Sequence, residues 1–161
     1  MNTGAKGEYL VHVETLWEGN LRFRSTGPSG HSVVIDADRD HGGTDQGPRP
    51  MELLLHGLAG CTGMDIVLIL QRMRVPLEGL SIQVEAERAE DHPRSFTKIH
   101  LHYRFAGTNL PEDKVRRAVG LSVEKYCSAS ASIAAPIVVT FEVNGQTYTY
   151  GTKPHRCTSE G

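Results

Sequence analysis

Cys61 and Cys127 are the residues of this 161-residue chain whose chemistry most asks for an explanation. Cys61 lies in LLLHGLAGCTGMD, residues 53–65, which reads as helix although Gly57, Gly60 and Gly63 recur at every third position. Glycine inside a helix costs roughly 0.5–1 kcal/mol relative to alanine, so three in seven residues need a packing or chemical reason. Cys127 falls near the end of a second apolar-periodic segment and is followed by SASAS. A free cysteine is often just a small core side chain. Two cysteines on separate helices that could face each other also have a specific use. A thiolate attacking a peroxide O–O bond becomes a sulfenic acid, which a second thiol must capture before it over-oxidises. Such a nucleophile needs its pKa lowered by a cation, itself held by an acid. Arg22, Arg24 and Arg49 are eligible cations and Glu52 an eligible acid, against the plainer readings of solvated strand face and first-turn acid.

The other candidates are weaker. His100 and His102 in KIHLHYR share one strand face at a spacing that can chelate a metal, but no third ligand is evident, and an exposed polar face is the better reading. His56, inside the apolar helix, reads as a hydrogen-bonded core or interface residue. Three cysteines, Cys61, Cys127 and Cys157, fit neither a disulfide scaffold nor a CxxC metal site. Seventeen basic against nineteen acidic residues leave a net charge of -2, so no nucleic-acid or anionic-membrane partner is expected. MNTGAKGEYLVHVE lacks the apolar core of a secretory signal, and no uninterrupted apolar run reaches the length a transmembrane helix requires, giving a cytoplasmic expectation.

The elements that must position the cysteines follow from periodicity. Residues 9–35 read as a strand meander with a turn at Gly27–Gly30, and 36–50 as a Gly-, Asp- and Pro-rich loop. From Pro50 to about Met73 a helix apolar on nearly every side implies burial on every side, its glycines admitting a second backbone. Leu80–Glu90 and 96–107 alternate as an antiparallel hairpin. Pro111 opens a second helix, SASASIAAP is a connection, and residues 137–150 form a last strand with an Asn144-Gly145 turn and a short return. The expectation is one α+β domain over residues 1–151 with a flexible tail at 152–161.

GPRPMELLLHGLAGCTGMD, followed by SVEKYCSASASI, resembles the OsmC/Ohr family (osmotically inducible protein C and organic hydroperoxide resistance proteins), in particular its OsmC-like branch. The resemblance runs from about Trp17 to Phe141. It implies two central helices wrapped by antiparallel sheets in an intertwined homodimer, and thiol-dependent reduction of organic hydroperoxides without a cofactor or metal. Cys61 matches the peroxidatic and Cys127 the resolving position, joined in turn as a disulfide. An arginine steadied by a glutamate would activate Cys61, and an external dithiol, as on a lipoyl protein, would reset it. In peroxidase members the acid directly follows the helix-opening proline. Here Met51 holds that place and Glu52 comes one later, turned by about 100°. Arg22, Arg24, Arg39 and Arg49 are all eligible as the arginine. The alternative is a non-catalytic small-molecule binding or redox-sensing module using the same interface pocket.

Overall fold

A computed structural model describes residues 10–154 of the chain. The chain forms two compact units, Met1–Leu54 and Leu55–Gly161. The first carries an antiparallel sheet of β1 (Glu14–Trp17), β2 (Phe23–Thr26) and β3 (Ser32–Ile35), in that order. Gly19 and Asn20 reverse the chain between β1 and β2 with φ of 103° and 47°, and the expected Gly27–Gly30 turn closes with a 3.0 Å backbone hydrogen bond. β1 is shorter than the alternation from residue 9 suggests, and all four of its residues are exposed.

The loop after β3 folds around one carboxylate. Asp36 is buried and accepts hydrogen bonds from the backbone N–H groups of Ala37, Thr44 and Gln46 and from the Thr44 hydroxyl. Gly43 and Gly47 are required there, because a Cβ would lie 2.0 Å from the Ala37 carbonyl oxygen at one and 2.5 Å from that of Val34 at the other. The loop also contains a single 3-10 turn, Arg39–His41.

Helix α1 (Pro50–Arg72) begins at the proline, as predicted, and its first five residues belong to this unit. Glu52 Oε2 accepts the Arg49 backbone N–H at 3.1 Å, closing the first turn from within as the acid of a capping box does.

In the second unit β4 (Gly79–Arg88), β5 (Phe96–Ala106), β6 (Ile137–Val143) and β7 (Gln146–Lys153) form a sheet in that order. The β4–β5 hairpin is antiparallel, as predicted, but β5 and β6 pair in parallel. The intervening crossover through α2 (Glu112–Leu121) and α3 (Ser128–Ser132) makes this possible. The sheets are therefore not all antiparallel. Asn144 and Gly145 take φ of 51° and 77°, the geometry of a two-residue hairpin turn. The return strand β7 is longer than β6 and ends at Lys153, so Thr152 and Lys153 are strand and not tail. The rest of the expected tail, including Cys157, lies outside the described residues.

Alternate residues of β5 and β6 (Ile99, Leu101, Tyr103, Phe105; Ile137, Val139, Phe141, Val143) point inward with Val115, Ala118 and Val119 of α2. Helix α1 contributes Leu58, Thr62, Ile66 and Leu70, an i, i+4 stripe, together with Gly63. Burial of each such aliphatic side chain contributes about 1.5–3 kcal/mol. The expectation of burial on every side fails: Leu54, Met64 and Leu68 are 51%, 70% and 53% exposed. By length and composition alone this 23-residue helix is also apolar enough to cross a membrane. Its buried stripe instead joins the core of its own unit.

Candidate thiol site

Cys61 sits mid-way along α1 and is half-buried. Cys127 reaches it through an irregular end to the second helix. After α2 the chain widens into one π-helical turn, Ser122–Tyr126, closed by the Cys127 N–H on the Ser122 carbonyl at 2.8 Å. Cys127 then leaves helical backbone (φ −70°, ψ 107°) and becomes the N-cap of α3, its Sγ accepting the Ser130 N–H at 3.3 Å. The run read as a connection is thus a short helix, whose small residues allow Ser130 Oγ to donate back to the Val123 and Cys127 carbonyls.

Both thiols are free. Their sulfurs and a carboxylate oxygen of Asp65 all lie within 4.8 Å of one another. Asp65 stands one helical turn after Cys61 and so shares its face. Its Oδ2 accepts the Ser122 hydroxyl at 3.2 Å, and the same hydroxyl lies 3.3 Å from the Thr62 carbonyl. Fully buried Thr62 and Ser122 mark where the two helical segments meet. That meeting point is not the glycine stripe. A Cβ on Gly57 or Gly60 would touch nothing within 4 Å, and one on Gly63 would meet Ile82 of β4 at 2.7 Å.

Burial, the largest influence, pushes the Cys127 thiol above its ordinary pKa, and the adjacent Cys61 sulfur raises it further, while the Ser130 N–H acts the other way. Cys127 therefore holds its proton at neutral pH. Tyr103 lies within electrostatic reach of Cys127 and Asp65, and burial raises its phenol strongly. Its hydroxyl is buried without a partner at hydrogen-bond distance among the described residues. Thr62 is adjacent, but its own hydroxyl donates to the Leu58 and Ala59 carbonyls at 3.1 and 3.2 Å. Lys153, at the end of β7, donates to the Val123 carbonyl and to Ser130 Oγ at 2.9 Å. This brings an amine close to the segment that holds Cys127.

The remaining predicted site residues all lie in the first unit and are bound there. Arg22 and Arg24 share Glu18, with Nε–carboxylate distances of 3.2 and 2.7 Å, and Arg22 also donates to Gln46. Arg49 pairs with Asp45 and donates to the Gly47 carbonyl. The acid holding the strand arginines is therefore Glu18, while Glu52 caps α1. His100 and His102 are half-buried in the second unit and both bond the Thr140 hydroxyl, at 2.8 and 2.7 Å. Among the described residues, three metal-ligating side chains converge at Cys61, Asp65 and Cys127 and not at these histidines.

Residues 43–142 match the family model described as OsmC-like protein. The chain belongs to the OsmC-like family. This OsmC-like protein is 36% identical over 130 residues to Protein YhfA of Escherichia coli, an alignment covering 81% of this chain and 94% of YhfA. Its fold is similar to a crystal structure from Aquifex aeolicus (TM-score 0.75, 28% identity, 85% of this chain and 98% of that one). It is also similar in fold to an organic hydroperoxide resistance protein from Legionella pneumophila (TM-score 0.63, 19% identity, 86% and 100%). The expectation of an OsmC/Ohr-like α+β fold is met.

Sequence reasoning missed Asp65, Tyr103 and Lys153. Asp65 was legible as Cys-x-x-x-Asp on one helical face. The other two are brought in by the sheet and carried no local signal.

Proposed function

We propose that this OsmC-like protein is a cysteine-based peroxidase of organic hydroperoxides. The observation that supports this reading most is the approach of two free sulfurs to within 4.8 Å across segments 66 positions apart in sequence. Cys61, the more exposed of the two, attacks the outer oxygen of the hydroperoxide as a thiolate. The O–O bond breaks, Cys61 becomes a sulfenic acid, and the alkoxide leaves and takes a proton to become the alcohol. Cys127 brings its thiol proton to the attack on the Cys61 sulfur. The sulfenic oxygen leaves with that hydrogen as water, and the disulfide forms. An external dithiol, of the lipoyl-protein type, then reduces the disulfide by exchange. The activating arginine is taken to be one of Arg22, Arg24, Arg39 and Arg49. The Glu18 clasp on Arg22 and Arg24 offers the arginine–glutamate pairing that Glu52 does not supply.

The functional unit is proposed to be a homodimer in a reducing compartment. Support comes from the apolar surface that one chain leaves open: Met64 and Leu68 on α1 and, in the first unit, Leu16 and Trp17 of β1, 58% and 67% exposed. A second reading, a small-molecule binding or sensing module, draws on an apolar groove of about 680 Å³ lined by Ala59, Gly60, Gly63, Met64, Val67, Leu68 and residues of β4.

The test is consumption of cumene hydroperoxide by reduced wild type and Cys61→Ser, with mass spectrometry of the product. The peroxidase reading expects Cys61→Ser to be inactive and the wild type to lose two hydrogens in a peptide joining Cys61 to Cys127. Equal turnover by both proteins would sink it in favour of the binding module.

A further inference from the structure

We propose that Cys61 Sγ, the Asp65 carboxylate and Cys127 Sγ form a binding site for one thiophilic divalent cation, of which Zn2+ is the reference ion. This goes beyond the peroxidase reading and stands without it, since it needs only reduced thiols.

Three independent features of the site carry the inference. The first is donor geometry: one ligand atom from each residue lies within 4.8 Å of the others. Zinc bonds sulfur at about 2.3 Å and carboxylate oxygen at about 2.0–2.2 Å, so tetrahedral donors stand about 3.3–3.8 Å apart. Rotamer adjustment of under about 1 Å per donor brings the three onto one ion. The donor chemistry is equally selective: paired sulfurs favour zinc-like ions over magnesium or calcium, and three protein ligands leave a fourth position open.

The second feature is the carboxylate itself. An acid one turn from a nucleophilic thiolate opposes formation of that thiolate. Asp65 is nevertheless held at the sulfurs by the Ser122 hydroxyl, itself fully buried. A second-shell hydrogen bond of this kind fixes a ligating carboxylate. A cation between the three groups would be held by all of them at once.

The third feature is Tyr103. Its fully buried hydroxyl has no partner at hydrogen-bond distance among the described residues, with the Thr62 side chain beside it, and it lies within electrostatic reach of two of the three ligands. Native structures rarely leave such a group unsatisfied. A water or hydroxide in the open metal position would supply the missing acceptor.

A cation and a Cys61–Cys127 disulfide exclude each other, because the ion needs both sulfurs as thiolates. The bound ion would thus shield the pair from oxidation and be expelled when the disulfide forms.

The test uses the full chain, reduced, stripped by chelator and kept anaerobic. Zn2+ is titrated in competition with a chromogenic chelator, and Co2+ is added separately to read thiolate-to-cobalt charge transfer. The proposal expects one Zn2+ per chain with a dissociation constant of micromolar or below, and a charge-transfer band with Co2+. Asp65→Asn should weaken binding at least tenfold, Cys61→Ser and Cys127→Ser at least a hundredfold, and Cys157→Ser should bind as wild type. A smaller loss in Asp65→Asn, binding that survives Cys127→Ser, dependence on Cys157, or cobalt binding without the band would each overturn it. Should Asp65→Asn fail to fold, the band and the two serine variants still decide. Peroxide turnover is not part of these readouts, so failure here is distinct from failure of the peroxidase reading.

Discussion

Replacing Tyr103 by phenylalanine should make the second unit more stable, the reverse of what removing a buried tyrosine hydroxyl usually does. The ring is fully buried between the sheet and α1, but its oxygen has no hydrogen-bond partner. In the metal-free protein, folding therefore takes the hydroxyl from water without giving it a partner at hydrogen-bond distance among the described residues, a penalty of about 1–3 kcal/mol that the phenylalanine variant does not bear. Against this stands the void left by one oxygen, about 10–20 Å³, which at about 24 cal/mol per Å³ costs about 0.2–0.5 kcal/mol. The balance favours the variant by about 0.5–2.8 kcal/mol. With a urea slope of about 2 kcal/mol/M the unfolding midpoint should rise by about 0.2–1.4 M. Trp17, the single tryptophan, lies in the other unit, so the measurement is hydrogen exchange of β5 and β6 amides against urea. A fall in midpoint would refute the reasoning, because it would mean that the phenol has a stabilising partner in the resting protein.

Two further outcomes follow from the geometry. Hydrogen bonds hold the Asp36 carboxyl down to about 2 from an ordinary 3.8, that from the Thr44 hydroxyl most of all. A depressed carboxyl stabilises the fold fully above its unfolded value and loses that contribution as pH falls from about 4 through about 2. Asp36→Asn should therefore leave the first unit less stable at pH 7 and flatten its acid transition, both read by Trp17 fluorescence; an unchanged acid profile would contradict this. Gly60→Ala should weaken the proposed dimer in sedimentation equilibrium. In the lone chain the added methyl meets nothing and would gain roughly 0.5–1 kcal/mol of helix stability, so a gain in stability with unchanged association would remove this face from the interface.

The elements that local chemistry determines were legible in the sequence. Pro50 at the first helical position, the alternation of β4 and β5 and the Asn144-Gly145 turn each carry their own structural instruction. What escaped was set by partners distant in sequence. Parallel pairing of β6 on β5 leaves no local trace, because the same alternation serves either direction. Cys127 reads as a helix residue until Ser122, Ser130 and the widened turn are seen to bend the chain out of helix at that point. Glu52 is acidic, early in a helix and near arginines, so it suits a catalytic pair and a helix cap equally well. Only the hydrogen bond to the Arg49 N–H distinguishes them.

The same contrast explains why α1 reads so oddly. A helix packed only against its own sheet needs one apolar stripe, and Leu58, Thr62, Ile66 and Leu70 supply it. Leu54, Met64 and Leu68 stay exposed, and a Cβ on the glycines at 57 and 60 would meet nothing in the single chain. Yet Cys61 and Asp65 must be on this helix, one turn apart, to meet Cys127 at the Thr62–Ser122 crossing. Under the proposed function two sets of requirements would share the same 23 residues: a polar edge with Cys61 and Asp65 facing the second helical segment, and an exposed apolar face with Met64 and Leu68. Three glycines in seven residues would weaken a helix with one partner. Gly63 has its reason within the chain, where a Cβ would meet Ile82, while Gly57 and Gly60 have none there; in the proposed dimer a second chain would cover the backbone at those two positions.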